Sequence, residues 1–251
     1  KSLSRDNKKL FEARKSIYNT LSKSSSGDYK LNIVGVIPVK ENFPNIKNIP
    51  FLKYGDKTLL EISIEQASKS KFLNNLVILG GEKKTLEYSK KIASKLGFNN
   101  LHTQQRNKDD LINSIGVPTL SLMRKAGQII FEKQGRYPDL VIFLNLHAMN
   151  RKTEEIDQAI SLIKLTNSDS VVSVIKERKP IFKYGDYGLK IINEGRLSDV
   201  SLQREILFSF EDSIIATWWE ILLKDSIFGD RITPLELNIK NDNIKLNQLS
   251  E

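Results

Sequence analysis

Two lysines and one histidine lie where a folded chain could use them for chemistry. Lys40 and Lys47 follow the apolar, β-branched run 31–37, and His147 follows the apolar run 140–144. Ammonium groups beyond a buried strand can neutralise an anionic ligand, and a histidine in that position can act as a base or a metal ligand. The plainer alternatives are that both lysines are solvated loop charges and that His147 has a structural role.

The sequence lacks the motifs of several other kinds of site. It contains no cysteine, which excludes disulfides, thiolate nucleophiles and cysteine-ligated zinc. It also contains no P-loop, no dinucleotide-binding G-x-G-x-x-G and no G-x-S-x-G nucleophile motif. The other histidine, His102, is not at a metal-ligand spacing from His147, so a zinc site is not expected.

Composition predicts a soluble globular protein. The chain has 251 residues, of which 39% are hydrophobic and 27% charged, as expected of one domain or two small ones. No apolar run approaches the ~20 residues of a membrane-spanning helix. With no signal-peptide pattern either, we expect a cytoplasmic protein without a membrane partner. The net charge is +9, but residues 1–30 alone carry eight Lys and Arg against three Asp and Glu, so a nucleic-acid partner is not required.

Residues 1–30 are predicted to be an N-terminal segment that precedes the domain at 31–251, and its helix is expected to pack on that domain. Leu10, Arg14, Ile17 and Leu21 share one face of a helix, which predicts a short amphipathic helix. The serine-rich stretch 24–27 that follows is typical of a linker.

From residue 31 onward, strand patterns and helix patterns alternate. Apolar runs predict buried strands at 31–37, 76–79, 140–144 and 171–175. Amphipathic patterns predict helices at 59–69, 86–96, 119–134 and 154–165. This order predicts an α/β fold with a mostly parallel sheet between helices, followed by a small hairpin at 181–192 and short strands around a helix at Trp218-Trp219, whose side chains are expected in the core. Ligands of such sheets bind beyond the carboxyl ends of the strands, where Lys40 and His147 are expected.

Three segments resemble one enzyme family in the same order along the chain. They read IPVKENFPNIKNI with GDKTLL after it, PDLVIFLNLHAMNR with IDQAI after it, and SVVSV. These resemble I-P-A-R-x-G-S-K-R-I-P-x-K-N-I with G-K-P-L-I, P-D-x-V-V-x-L-Q-P-T-S-P-L-R with I-D-x-A-I, and D-S-V-x-S-V. That set is typical of the acylneuraminate cytidylyltransferase family, which includes the CMP-sialic acid synthetases. The resemblance covers roughly residues 31 to 250.

The resemblance implies a fold, a reaction and a set of site residues. The fold is the Rossmann-like, three-layer sandwich of nucleotide-diphospho-sugar transferases (GT-A type). The reaction transfers CMP from CTP to a sialic-acid-like 2-keto acid sugar and releases pyrophosphate, with Mg²⁺, in a homodimeric enzyme. Lys40 and Lys47 would be catalytic, because both would neutralise phosphate charge in one pocket for an anionic ligand. Contacts to nucleotide or sugar would come from Pro38, Val39, Asn48, Asn145, His147, Arg151, Gln203 and Asp212.

Three departures from the family pattern leave other hypotheses open. The G-S-K element is Asn42-Phe43-Pro44 here, the T-S-P element is His147-Ala148-Met149, and the metal-binding D-I-D aligns with Asn238-Ile239-Lys240. A lysine cannot ligate Mg²⁺, so the metal ligands are unknown. A second hypothesis is therefore a catalytically impaired relative that binds a nucleotide or sugar, or serves as a partner subunit. A third is a glycosyltransferase, although no D-x-D motif follows the central strands.

Overall fold

The computed structural model describes residues 30–106, 118–177, 179–193 and 207–237. The predicted N-terminal helix, Gln203 and the segment 238–240 lie outside these residues. The strands are β1 (Ile33–Pro38), β2 (Lys53–Tyr54), β3 (Lys57–Thr58), β4 (Asn75–Gly80), β5 (Leu101–Gln105), β6 (Leu140–Leu144), β7 (Ser170–Glu177), β8 (Phe182–Gly185), β9 (Gly188–Ile191), β10 (Leu207–Trp218) and β11 (Ile232–Glu236). The α-helices are α1 (Leu59–Ser68), α2 (Lys83–Lys95), α3 (Thr119–Gln134), α4 (Thr153–Thr166) and α5 (Trp219–Leu223), and residues Ile49–Phe51 form one 3₁₀ turn.

Seven of these strands form one mostly parallel sheet. Its order is β11-β7-β10-β6-β1-β4-β5, and only β10 runs antiparallel to its neighbours. The predicted α/β fold is confirmed, as is the hairpin, which β8 and β9 form apart from the sheet. None of the helices in the described ranges is long and apolar enough to cross a membrane.

The sheet has a buried apolar layer on each face because successive strand side chains point to opposite sides. Ile33 and Ile37 of β1 belong to one layer, and Val34 and Val36 belong to the other. Helices α1 and α4 cover the first layer, and α3 covers the second. Strands buried on both faces are apolar throughout, which is why β1, β4 and β6 could be predicted from sequence.

The helix boundaries follow local capping chemistry. The Thr58 hydroxyl accepts a hydrogen bond from the Glu61 N–H at 3.2 Å, and the Glu61 carboxylate accepts one from the Thr58 N–H at 2.7 Å. This capping box fixes the start of α1 at Leu59, as predicted. Helix α2 begins at Lys83, three residues before the predicted start, because its first turn begins with exposed lysines that carry no apolar signal.

Two details of the predicted elements are wrong or incomplete. Strand β5 was not expected, because its sequence Leu-His-Thr-Gln-Gln has one apolar residue and forms a half-exposed edge strand. The expected Trp218-Trp219 helix begins only at Trp219, since Trp218 is the last residue of the 12-residue strand β10. The two rings are partly buried and pack against opposite apolar layers.

Candidate functional site

Three loops meet at the carboxyl edge of the central strands. Strand β1 lies between β6 and β4 and is parallel to both, with Val36 opposite Phe143 and Pro38 opposite Leu79. The loops at 39–48, 81–82 and 145–151 therefore emerge at the same edge of the sheet. This is the expected position of a ligand site in an open α/β sheet.

The loop after β1 is closed by its own hydrogen bonds. The N–H of Phe43 donates to the Ile46 carbonyl at 2.8 Å, and the N–H of Ile46 donates to the Phe43 carbonyl at 3.3 Å. Pro44 occupies the second position of this tight turn, where its fixed φ is favourable. These two N–H groups are occupied, so they do not form the phosphate cradle expected of a flexible G-S-K segment.

Glu41 is a structural residue of the site that the sequence did not identify. Its side chain is buried, and Oε1 accepts hydrogen bonds from the N–H groups of Gly81 at 2.8 Å and Glu82 at 2.9 Å. The Glu41 carbonyl also accepts a hydrogen bond from the Ile49 N–H at 2.9 Å. Glu41 thus ties the β1 loop to the turn before α2 and occupies N–H groups that a ligand would otherwise use. A glutamate in a polar loop gives no sequence signal for such burial.

Lys40 and His147 meet at one aromatic ring. The Lys40 ammonium lies 4.8 Å from the centroid of the Phe43 ring, within cation–π range. The Phe43 and His147 rings have centroids 5.7 Å apart and an interplanar angle of 64°, which is an edge-to-face contact. Two of the segments that depart from the family pattern are therefore in direct contact with each other.

A polar cluster at the end of β6 joins that strand to β10. The Asn145 side chain donates from Nδ2 to Asp212 Oδ2 at 2.8 Å, and its Oδ1 accepts from the His147 N–H at 3.0 Å. Asp212 lies in an irregular stretch of β10, where the register against β7 shifts between Phe210 and Ile215. Asn145 thus fixes the backbone at His147 and the position of the Asp212 carboxylate together.

Arg151 lies beneath this cluster as a buried cation. Its Nη1 donates to the carbonyls of Asn145 at 2.8 Å and Ser213 at 3.2 Å, whereas its buried Nε and Nη2 have no hydrogen-bond partner. Burial lowers the pKa of Arg151 to about 10, and the charge of Glu155 acts in the opposite direction. The guanidinium therefore stays charged at neutral pH inside the protein.

The electrostatics of the site keep His147 neutral near pH 7. Burial lowers the pKa of His147 below its ordinary value of 6.5, and the nearby charge of Asp212 opposes this shift. Burial also raises the pKa of Glu211, and the charge of Asp212 raises it further. The imidazole is therefore suited to accept a proton, and it does not add positive charge for a phosphate.

The remaining predicted residues surround this core of the site. Pro38 ends β1, and the side chain of Val39 is completely buried, so that only its backbone faces the loop. Lys47 is exposed and forms no ion pair with the described residues. That Lys47 and Lys40 bind the same anionic ligand stays a prediction. Asn48 is exposed in the left-handed conformation, with φ of 55°, and its N–H donates to Asn42 Oδ1 at 3.1 Å.

The described residues contain no group of three or more His, Asp or Glu side chains that could hold a metal ion. They therefore do not fit a metal site built from protein ligands alone. Mg²⁺ at nucleotide sites commonly keeps several waters and is bound by one or two carboxylates together with substrate phosphates. A role for Mg²⁺ therefore stays a prediction. We expect the ion to bind together with the phosphates of a nucleotide.

Comparison with known proteins identifies the fold. No protein-family model and no curated protein sequence matches the chain. Among solved structures, 4-diphosphocytidyl-2C-methyl-D-erythritol synthase from Anaerococcus prevotii is 12% identical, with a TM-score of 0.56 over 87% of this chain and 95% of that one. CMP:2-keto-3-deoxy-manno-octonic acid synthetase in complex with CTP is 9% identical, with a TM-score of 0.53 over 82% of this chain and 90% of that one. A further 4-diphosphocytidyl-2C-methyl-D-erythritol synthase is 12% identical, with a TM-score of 0.52 over 86% and 93% of the two chains. The chain therefore has the Rossmann-like α/β fold found in cytidylyltransferases.

Proposed function

We propose that this protein is a cytidylyltransferase that transfers CMP from CTP to a sialic-acid-like 2-keto acid sugar. The position of Lys40, Asn145 and Arg151 carries the proposal. These residues match the family pattern, and they lie in the loops that leave the neighbouring parallel strands β1 and β6 at the carboxyl edge of the sheet. The fold shared with cytidylyltransferases supports the nucleotide. The acidic sugar named for one of those neighbours supports the class of acceptor.

The proposed reaction is an in-line displacement at the α-phosphorus of CTP. A sugar hydroxyl oxygen bonds to that phosphorus, the bond to the oxygen that bridges to the β-phosphate breaks, and pyrophosphate leaves. Lys40, in the loop after β1, neutralises charge that develops on the phosphates, and Lys47 is proposed to do so from the same loop. Mg²⁺ bound to the phosphates would supply further charge neutralisation.

Asn145 and Arg151 are proposed to shape the site from the β6 side. The Asn145 amide is held by Asp212, so it presents a fixed surface to nucleotide or sugar. The Arg151 guanidinium is covered, so it acts through the Asn145 and Ser213 carbonyls and through its positive charge. Charge in a poorly solvated interior acts over longer distances than charge in water.

We also propose a homodimer formed through the β8–β9 hairpin. Its side chains include exposed Tyr184, Tyr187 and Leu189, and an isolated two-stranded hairpin is only marginally stable in water. Apolar surface of this kind favours association with another chain. Light scattering should give twice the chain mass for the wild type and the single mass for Tyr184→Glu/Leu189→Glu. Leu165→Glu, at an equally exposed position on α4, is the control and should leave the mass unchanged.

Pyrophosphate release tests the proposed activity. The assay contains CTP, Mg²⁺ and, in separate reactions, N-acetylneuraminic acid, 2-keto-3-deoxy-manno-octonic acid or 2C-methyl-D-erythritol 4-phosphate. We expect release with a keto acid sugar and at least a ~10-fold loss in Lys40→Ala, since a charge-assisted contact contributes about 1.5–3 kcal/mol. Lys164→Ala is the matched control, because its ammonium lies 5.2 Å from the Phe72 ring on another surface. CTP binding without release from any acceptor would favour the catalytically impaired alternative, and failure to bind CTP would contradict the proposal.

A further inference from the structure

We infer that His147 is the general base of the proposed reaction and takes the proton of the acceptor hydroxyl. This inference rests on the proposed function, and it assigns a chemical role to a residue where the family pattern has a threonine. The same side chain then distinguishes between two classes of acceptor.

The position of His147 is suited to an acceptor bound beside the nucleotide. It follows β6 at the carboxyl edge of the sheet, and its N–H is held by Asn145 Oδ1 at 3.0 Å. The Phe43 ring fixes one side of the imidazole. Within the described ranges, neither ring nitrogen of His147 has a hydrogen-bond partner, and neither is enclosed as a buried unsatisfied atom. A half-buried imidazole that is held at its backbone and on one side can therefore present a nitrogen to a ligand.

Three charged groups surround the imidazole, each from a different segment. Lys40, in the loop after β1, contacts the same Phe43 ring, and Asp212, in β10, accepts a hydrogen bond from the Asn145 amide that also holds the His147 N–H. Arg151 lies buried behind the same turn. Burial favours the neutral imidazole before reaction, whereas the charge of Asp212 stabilises the imidazolium formed when the base takes a proton.

The step is balanced without any further reactant. The acceptor hydroxyl gives its proton to a ring nitrogen of His147, and its oxygen forms the new bond to the α-phosphorus of CTP. The bond between that phosphorus and the bridging oxygen breaks, and this oxygen leaves with its electron pair as part of pyrophosphate. His147 then loses the proton to solvent.

The need for a base separates hydroxyl acceptors from phosphate acceptors. A hydroxyl keeps its proton at neutral pH and becomes a good nucleophile only when a base removes it. A phosphate monoester has a second pKa of about 6, so its oxygen is already ionised at pH 7. A neutral histidine at this point is therefore useful for a sugar hydroxyl and unnecessary for a sugar phosphate.

The test compares His147→Gln with His102→Gln, which removes the only other histidine. His102 is the matched control, because it also has a pKa lowered by burial but lies in β5, towards the amino end of the parallel strands. With CTP, Mg²⁺ and the keto acid sugars named above, we expect His147→Gln to lower kcat about 100-fold or more, with KM for CTP within ~3-fold of the wild type. His102→Gln should keep wild-type kcat. For the wild type, kcat/KM should rise with pH and level off above a pKa that lies below 6.5.

Imidazole NMR keeps the test decisive if His147→Gln does not fold. The wild type gives signals from two histidines, and the spectrum of His102→Gln assigns them. The pKa of His147 should equal the pKa seen in kcat/KM. The inference is overturned if these two pKa values differ by more than ~1 unit or if folded His147→Gln releases pyrophosphate within ~3-fold of the wild-type rate. Use of 2C-methyl-D-erythritol 4-phosphate as the only acceptor would overturn the acceptor class of the proposed function, and this inference with it. Absence of CTP binding in the wild type would instead overturn the proposed function, and this inference with it.

Discussion

Replacing Arg151 with methionine should weaken CTP binding without greatly reducing stability. Arg151 is 4% exposed, and two of its three guanidinium nitrogens are buried without a hydrogen-bond partner. Methionine has a similar length, carries no charge and fills irregular apolar space well. Replacement of a buried charged side chain by an apolar one of similar volume is one of the few core changes that can leave stability unchanged.

The expected size of the effect follows from the pKa of Arg151. Its fall from 12.5 to about 10 is about 2.5 pKa units, which corresponds to about 3 kcal/mol of unfavourable free energy in the folded state. Because the folded pKa is depressed, this penalty is present at every pH below about 10. The two hydrogen bonds from Nη1 oppose it by about 1.5 kcal/mol each. The free energy of unfolding of Arg151→Met should therefore lie within about 1 kcal/mol of the wild-type value.

Urea unfolding at pH 7 and calorimetric titration with CTP measure the two effects separately. We expect CTP affinity to fall about 10-fold in Arg151→Met, which corresponds to the loss of about 1.4 kcal/mol from a fixed positive charge. Arg124→Met is the control, since Arg124 donates to the Leu222 carbonyl and pairs with Asp225 at 2.8 Å, outside the site. A loss of more than about 3 kcal/mol of stability in Arg151→Met, or unchanged CTP affinity, would refute this account of Arg151.

Three further predictions concern stability. Glu41→Ala leaves two backbone N–H groups without their acceptor, so the free energy of unfolding should fall by about 2–3 kcal/mol, and by less in Glu41→Gln, which keeps an oxygen; equal losses in denaturant titrations would contradict this explanation. Gly127→Ala should cost about 2 kcal/mol or more, because the new methyl group would overlap the Trp219 ring; an unchanged thermal midpoint would show that the ring can move. The free energy of unfolding should fall as pH drops below 6.5, because the folded-state pKa values of His147 and His102 are lowered. Measured from pH 7.5 to 5, this free energy should decline less steeply in His147→Gln than in the wild type, and an equally steep decline would count against the burial of His147.

The sheet could be predicted well because its central strands are buried on both faces. The runs in β1, β4 and β6 are continuously apolar, and the predicted bounds of β6 and α3 match the structure. Edge strand β5 could not be found in this way, since its half-exposed and mostly polar residues show neither an apolar run nor an alternation of apolar and polar residues. The length of β10 was also missed, because its amino-terminal half is largely exposed and its register shifts in the middle.

The site could be predicted by position but not by contact. Lys40 and His147 were identified because they follow buried strands, and Asn145 was identified from its match to the family pattern. The structure places all three at the carboxyl edge. The link between Lys40 and His147 depends on Phe43, which is more than 100 residues from His147 along the chain. Neither the burial of Glu41 nor the missing partners of Arg151 leaves a trace in the sequence, because both arise from tertiary packing.

Binding of nucleoside triphosphates to the full chain tests the central claim most directly. A ligand that binds only the folded state raises the thermal midpoint in proportion to the logarithm of its concentration above Kd. With Mg²⁺ present, we expect CTP to raise the midpoint more than ATP, GTP or UTP, and we expect the increase to shrink in Lys40→Ala but not in Lys164→Ala. Equal shifts with all four nucleotides, or no shift with CTP, would contradict the proposal that the loops after β1 and β6 form a CTP site.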